Sequence, residues 1–413
     1  MAIVALTAGW GQSSHAQAIG PLIQEPNDVP GQRVIPEYTP IGYNLAGFDA
    51  LPSVAFGTQL DNNIFTRNTV KASDIVLQSE PRIRLRKERR SGSITIDANA
   101  RFSHYAKLTD QNSTEYRLQG IYVRGAKGPE SLTVNTGYRR EAVQRGTAEN
   151  DLTGGEPLMR RVLHGSLTGR MRFNRLSVDA QLLAVRQRFE DIGNPSGRDI
   201  PQGFRNVDHF GFRAITAYET TSRTSVFSSL AYDRFDYATS PLLDNRDAVN
   251  WSATAGVRYE VTRILHAQLA IGYRRYDFRD KTLGAIGGLA VSGHLRYFPS
   301  RVFAIRGTLE QSNTTSPYDL VGAVTLTTAR VEAEYEMRRN LSWLGAAKFM
   351  LEDYAKQPYS ARRAEVNVGP RYRFNRWLTI DANAGYAQRL VRGPAPFEPF
   401  SQFYGMVTLR LAR

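Results

Sequence analysis

The stretch SITIDANARFS, Ser93–Ser103, decides the fold. Ile94, Ile96, Ala98, Ala100 and Phe102 alternate with Thr95, Asp97, Asn99, Arg101 and Ser103. Successive side chains of a strand point to opposite faces, so this segment has one apolar face and one polar face. A helix would space its apolar residues three and four apart. The hexapeptide TIDANA inside it recurs letter for letter at Thr379–Ala384. PRIRL (Pro81–Leu85) precedes the first copy and PRYRF (Pro370–Phe374) the second. A looser third version, SVDAQL (Ser177–Leu182), follows GRMRFNR (Gly169–Arg175). The repeating unit is therefore a hairpin: a descending strand, a tight turn and an ascending strand.

The alternation continues outward from these copies. Ala253, Ala255, Val257 and Tyr259 alternate with Ser252, Thr254, Gly256 and Arg258; Val331, Ala333, Tyr335 and Met337 alternate with Arg330, Glu332, Glu334 and Glu336. About eighteen segments of this kind occupy the chain. Their connectors take turns. Short ones, such as FNR (Phe173–Arg175 and Phe374–Arg376), VTR (Val261–Arg263) and MRRN (Met337–Asn340), alternate with long Gly-, Pro-, Asp- and Asn-rich ones, such as Glu190–Asn206 and Val391–Ser401. A β-sandwich would have shorter strands with turns every 8–12 residues. A propeller would repeat at about 40 residues. Alternating tight turns and long loops point instead to an all-β fold: a transmembrane up-and-down antiparallel β-barrel of about 18 strands, with short periplasmic turns and long extracellular loops.

Aromatic residues on the apolar face support a bilayer around it. Phe173, Tyr218, Tyr259, Tyr297, Tyr335 and Tyr372 lie beside the short turns; Phe102, Tyr138, Tyr232, Tyr273 and Tyr386 lie near the other strand ends. Aliphatic and small residues fill the band between. Two aromatic girdles around an aliphatic belt suit a membrane with two interfaces.

The 413 residues contain no Cys and no apolar run long enough for a transmembrane helix, and charged residues are 22% of the chain. The net charge is +14 and the pI about 9.9. Of 53 basic residues 46 are Arg, spaced along the whole chain rather than gathered in a tail. The N-terminus carries an apolar run (Ala2–Ala8) and an A-x-A cleavage site at Ala16–Ala18, which predicts a signal peptide over 1–18. Residues 19–50 are expected to form a periplasmic N-terminal segment and 51–413 the barrel.

With lipid against the apolar face, the polar face lines a lumen. Its candidate binding residues are Arg82, Arg84, Arg101, Arg170, Arg172, Arg258, Arg274, Arg296, Arg306, Arg330, Arg371 and Arg373. Acidic residues share that face: Asp97, Glu310, Glu332, Glu334, Glu336, Glu352, Glu365 and Asp381. Many of these charges are expected to pair across strands and stiffen the wall. The surplus is basic, and guanidinium forks suit carboxylates and phosphates. A positive, water-filled passage enriches anions. Eighteen strands enclose room for an aqueous channel, which inward-folded loops can narrow.

Other chemistry lacks a signal. His104, His164, His209, His266 and His294 sit on separate segments without metal-ligand spacing. There is no G-x-S-x-G and no phosphate-binding Gly loop. Neither catalysis, a cofactor, a metal nor nucleic acid is expected; the basic residues are spread over strands rather than collected in one patch.

The segment Val34–Asn68 resembles the opening of the β-barrel porin type 2 family of bacterial outer-membrane proteins. Pro36, Glu37, Tyr38, Pro40 and Gly42 match its first motif, and Asp61, Asn63, Ile64 and Phe65 its second, with Thr39 and Leu60 departing from it. The resemblance implies a Gram-negative outer membrane, lipid as a partner, and an association with exopolysaccharide export. The expectation is therefore a conduit for an anionic polysaccharide, served by periplasmic export proteins. Two alternatives stand beside it: a diffusion porin for small anionic solutes, and a closed barrel that anchors partner proteins. Barrels of this type usually end in an aromatic residue, whereas this chain ends VTLRLAR.

Overall fold

A computed structural model describes residue 30 and residues 33–413, apart from 127, 152–154, 194–196, 198, 240–245, 263, 315 and 319–320. The expected signal peptide and most of the segment before residue 33 lie outside the described residues. A short hairpin opens the structure, β1 (Tyr43–Leu45) folding back on β2 (Phe48–Asp61). From β2 to β19 (Phe400–Ala412) each strand pairs antiparallel with the next in sequence, and β19 closes on β2 through Tyr404↔Asp61 to Ala412↔Ser53. The result is a closed barrel of eighteen strands, each 12 to 16 residues long. At about 3.3 Å per residue and about 40° of tilt, even the shortest spans about 30 Å, the depth of a bilayer core. Closure leaves no strand edge to meet lipid.

The expected hairpins are present. The two TIDANA copies are the ascending strands of β3 (Asp74–Arg89)/β4 (Gly92–Tyr105) and β17 (Ser360–Arg373)/β18 (Leu378–Arg392). The third version lies in β8 (Leu176–Phe189), paired to β7 (Met159–Phe173). Pairing partners share a face, so register sorts every residue. Tyr232↔Trp251, Leu230↔Ala253 and Val226↔Val257 run up one outward face, whereas Ser225, Ser229 and Asp233 point inward. Both aromatic girdles face out: Phe173, Tyr218, Tyr259 and Tyr335 at the turn side, Tyr138, Tyr232 and Tyr273 at the loop side, all well exposed.

The turns show why FNR recurs. Two residues connect β7 to β8, and Asn174 takes a left-handed φ of 53°, which Asn tolerates better than most. In the second copy four residues connect the strands, and the Asn375 side chain accepts from the Trp377 and Leu378 amides at 2.8 and 2.9 Å. One tripeptide thus closes two turn lengths. The alternation of connectors is less strict than the sequence suggests: the turn-side link 125–129 and the loop-side link 355–359 are both five residues long.

Before β1, Pro36–Tyr38 form a 3-10 turn. The chain start is tied to the turn-side mouth: Arg33 pairs with Glu336 of β15 (Val324–Arg338) at 3.1 Å, and Arg306 of β14 (Phe303–Thr314) donates to the Pro30 carbonyl at 2.8 Å.

Candidate functional site: the lumen of the barrel

All twelve arginines expected to line the lumen sit on inward-facing register positions. They form no single patch. Eight stand in the turn-side half; Arg82 and Arg330 lie near the middle of their strands, and Arg101 and Arg274 stand toward the loops.

The hairpin repeat proves to be an ion-pair repeat. Arg84 stands opposite Asp97, Arg170 opposite Asp179 and Arg371 opposite Asp381. Arg82 forks onto Asp97 with Nε at 2.9 Å from Oδ1 and Nη2 at 2.5 Å from Oδ2, while Arg84 Nε reaches the same carboxylate at 2.8 Å. Arg170 forks onto Asp179 at 2.7 and 3.0 Å, and Arg371 donates to Asp381 at 2.6 Å. Each rung lies within one hairpin and near its turn. Arg101–Glu80 (3.0 Å), Arg330–Glu332 (2.5 Å), Arg172–Glu219 (3.5 Å) and Arg306–Glu334 (3.9 Å) are further pairs. Such pairs at a wet surface contribute about 0–1 kcal/mol each, so their main effect is to fix side-chain positions.

Arg258, Arg274 and Arg373 hydrogen-bond to neutral side chains. Arg258 Nε reaches the Gln268 amide oxygen at 3.4 Å, Arg274 the Thr325 hydroxyl at 3.4 Å, and Arg373 the Ser342 hydroxyl at 3.3 Å. No carboxylate pairs with any of these three among the described residues. Their charge is left for the lumen. Arg410 of β19 joins them on an inward position that the sequence reading passed over, although Val407, Leu409 and Leu411 mark its strand by the same alternation. It lines a cleft of about 100 Å³ together with Glu80, Arg101, Arg371, Asp381 and Tyr404.

Loops pack into the loop-side end of the lumen. The loop between β6 (Glu130–Ala142) and β7 folds inward and crosses to the far wall. Its Asp151 accepts from Arg389 of β18, 238 positions away, and Arg389 Nη2 also donates to Glu352 at 2.5 Å and to the Tyr354 hydroxyl at 2.7 Å. Asp151, Glu352 and Arg389 side chains are each 1% exposed. Glu149 of the loop receives Arg160 at 3.1 Å and the Thr314 hydroxyl. Its carbonyl accepts from Arg205 at 2.6 Å, and Arg363 donates to the Gly146 carbonyl at 2.9 Å. Gly146 has φ 67°, and a Cβ there would stand 2.6 Å from the Phe400 ring and 2.7 Å from the Thr66 hydroxyl. Only glycine lets the loop pass so close to the wall.

Apolar clusters complete the filling. Ala148 packs with Val321, Val324, Tyr354, Tyr359 and Phe397; Val143 and Leu158 pack with Phe189 and Ile192; Val207, Phe235, Tyr276 and Phe278 pack under Leu283. Burial pushes the Asp151 carboxyl up to about 6, against the opposing pull of Arg389, because one guanidinium serves two carboxylates there. Burial likewise lowers Arg145 to about 10 and Arg205 to about 9.

The histidines belong to the wall. His209 contacts Asp233 at 2.9 Å, and Asn250 holds the other oxygen of that carboxylate at 2.9 Å. His104 differs: it lies on the exposed outer face of β4, opposite Leu77.

Residues 35–412 match the family described as "Putative beta-barrel porin 2". No curated protein matches the chain. Solved structures similar to it include OpdK of Pseudomonas aeruginosa with vanillate, at 12% identity, covering 88% of this chain and 99% of that one with a TM-score of 0.47. OccK2 (OpdF) of Pseudomonas aeruginosa in complex with glucuronate has 10% identity, 89% and 99% coverage and a TM-score of 0.46. OccAB3 of Acinetobacter baumannii has 8% identity, 89% and 100% coverage and a TM-score of 0.47. At this distance the likeness carries no argument about cargo.

Proposed function

The chain belongs to this family of outer-membrane barrel porins, and from that premise we propose that its cargo is small anionic solutes. The observation that carries the reading is the set of lumenal guanidiniums bonded to neutral groups, Arg258, Arg274 and Arg373. A solute carboxylate or phosphate exchanges water for fork-like N–H donors at these points without displacing a protein carboxylate. Spacing them along the passage favours entry while keeping each hold weak enough for release.

Export of an anionic exopolysaccharide, the leading expectation from the sequence, finds less support. A polymer threads a continuous bore, and here packed loops occupy the loop-side end of the lumen. Small solutes need only local yielding of the β6–β7 loop. The same filling favours a second reading, a barrel that rests closed. Reversal potentials in planar bilayers under a salt gradient test the proposal: anion selectivity is expected, and cation selectivity overturns it. Zero conductance from both the wild type and a variant with its loop released would favour the closed barrel.

A further inference from the structure

Above the loop-side girdle, the outer face of three neighbouring strands turns basic. Arg140 of β6 stands directly opposite Arg161 of β7, and Arg161 directly opposite Arg188 of β8. Arg186 lies one outward position below Arg188. All four share the outward face with Tyr138, Leu163, Leu167 and Leu182. Arg140 is two residues beyond Tyr138, which places it about 5 Å past the girdle, at headgroup depth. Like charges opposite one another destabilise a sheet. Some anion has to offset this triplet.

The protein supplies only part of it. Glu190 accepts from Arg140 at 2.9 and 2.7 Å and from Arg161 at 2.7 Å. Asp208 accepts from Arg186 at 3.1 Å and lies 2.8 Å from Arg188. Four guanidiniums thus share two carboxylates, and the Arg161 and Arg186 side chains remain 54% and 62% exposed. On β10 (Thr224–Tyr237) and β12 (Leu265–Phe278) the rim charges balance one to one, Arg234 with Asp236 and Arg275 with Asp277, each at 2.9 Å. At the turn-side end of β7 and β8 the outward positions are apolar: Met171, Phe173, Leu176 and Val178. The surplus faces neither lumen nor hydrocarbon. With the long loops outside the cell, as in outer-membrane barrels generally, it faces the headgroups of the outer leaflet.

We propose that Arg140, Arg161, Arg186 and Arg188 form a docking site for a phosphorylated lipid headgroup of the outer leaflet. Its phosphates complete the charge that Glu190 and Asp208 leave short, and its acyl chains lie along Leu163, Leu167 and Leu182. Charge complementarity and depth select the occupant. Guanidinium forks bind phosphate bidentately, and adjacent strands present three of them in one row.

The test uses the full-length barrel in an uncharged detergent, titrated with diphosphoryl lipid A and followed by native mass spectrometry. The Arg161→Gln/Arg186→Gln/Arg188→Gln variant should lose about tenfold or more in affinity, the effect of a few lost charge-assisted contacts. Arg234→Gln/Arg275→Gln should bind as the wild type does. Inorganic phosphate at matched concentration should neither compete nor stabilise. Equal binding by the triple variant, equal loss in both variants, or competition by inorganic phosphate would each overturn the proposal. Should the triple variant fail to refold, the wild type decides alone: binding should fall steeply by about 0.5 M salt, and persistence there refutes a charge-based site.

Discussion

Replacing Arg389 with Met should release the β6–β7 loop from the lumen. The guanidinium is 1% exposed, packs 4.0 Å over the Phe397 ring, and serves Asp151, Glu352 and Tyr354 at once. Met has similar reach but no charge, so two carboxylates would stay buried without a cation. Removing one partner of a buried ion pair costs about 3–5 kcal/mol. The barrel wall does not absorb this cost easily, because β17 and β19 hold β18 along its whole length. Undocking the loop does relieve it, since both carboxylates then reach water. At about 1.4 kcal/mol per tenfold, the docked-to-undocked ratio should fall by roughly two to three and a half orders of magnitude. Single-channel recording in planar bilayers should show larger or longer openings in Arg389→Met than in the wild type. Adding Asp151→Asn and Glu352→Gln removes the unpaired charges and should restore much of the closed behaviour. If Arg389→Met keeps the heat-modifiable gel mobility of a folded barrel and conducts as the wild type does, the loop does not gate the lumen.

Other outcomes follow from the same geometry. Arg258→Glu with Arg373→Glu should reduce anion selectivity, read as a shift of reversal potential toward the cation side, without altering folded mobility. The docked loop holds the Asp151 carboxyl at about 6, above its ordinary value of 3.8, so the docked state binds more protons. Conductance should therefore fall as pH drops from about 7 toward 5, and Asp151→Asn should flatten that dependence. At Gly369 a Cβ would collide with the Ala382 carbonyl of the next strand, so Gly369→Val should disrupt the β17–β18 register and abolish the folded gel band. Asp97→Ala should cost only about 1–2 kcal/mol in thermal or denaturant unfolding, since both of its arginines can hydrate in the lumen.

Period-two alternation was enough to read the wall from the sequence: the strand count, the membrane-facing side and the inward direction of all twelve arginines. It could not reveal which arginines are neutralised, because that depends on register. Arg371 meets Asp381 across ten positions, whereas Arg84 meets its Asp97 across thirteen, and only the turn between them decides which residues stand opposite. The docked loop was harder still. Asp151 and Arg389 lie 238 positions apart, with no periodic pattern joining them, and their proximity exists only once the sheet has closed. The polysaccharide expectation failed to gain support for a related reason. It drew on a family resemblance and on the basic surplus of the polar face, and neither says what the loops put inside the barrel.

The rungs of Arg82 and Arg84 with Asp97, Arg170 with Asp179, and Arg371 with Asp381 each begin and end within a single hairpin. A hairpin built this way brings its own counterion when it joins a growing wall. Copying or deleting one such pair of strands would carry both ends of its rung along, so the rungs themselves do not bar a change of circumference in steps of two. Related barrels wider or narrower by whole hairpins could then keep the same rungs and the same turns.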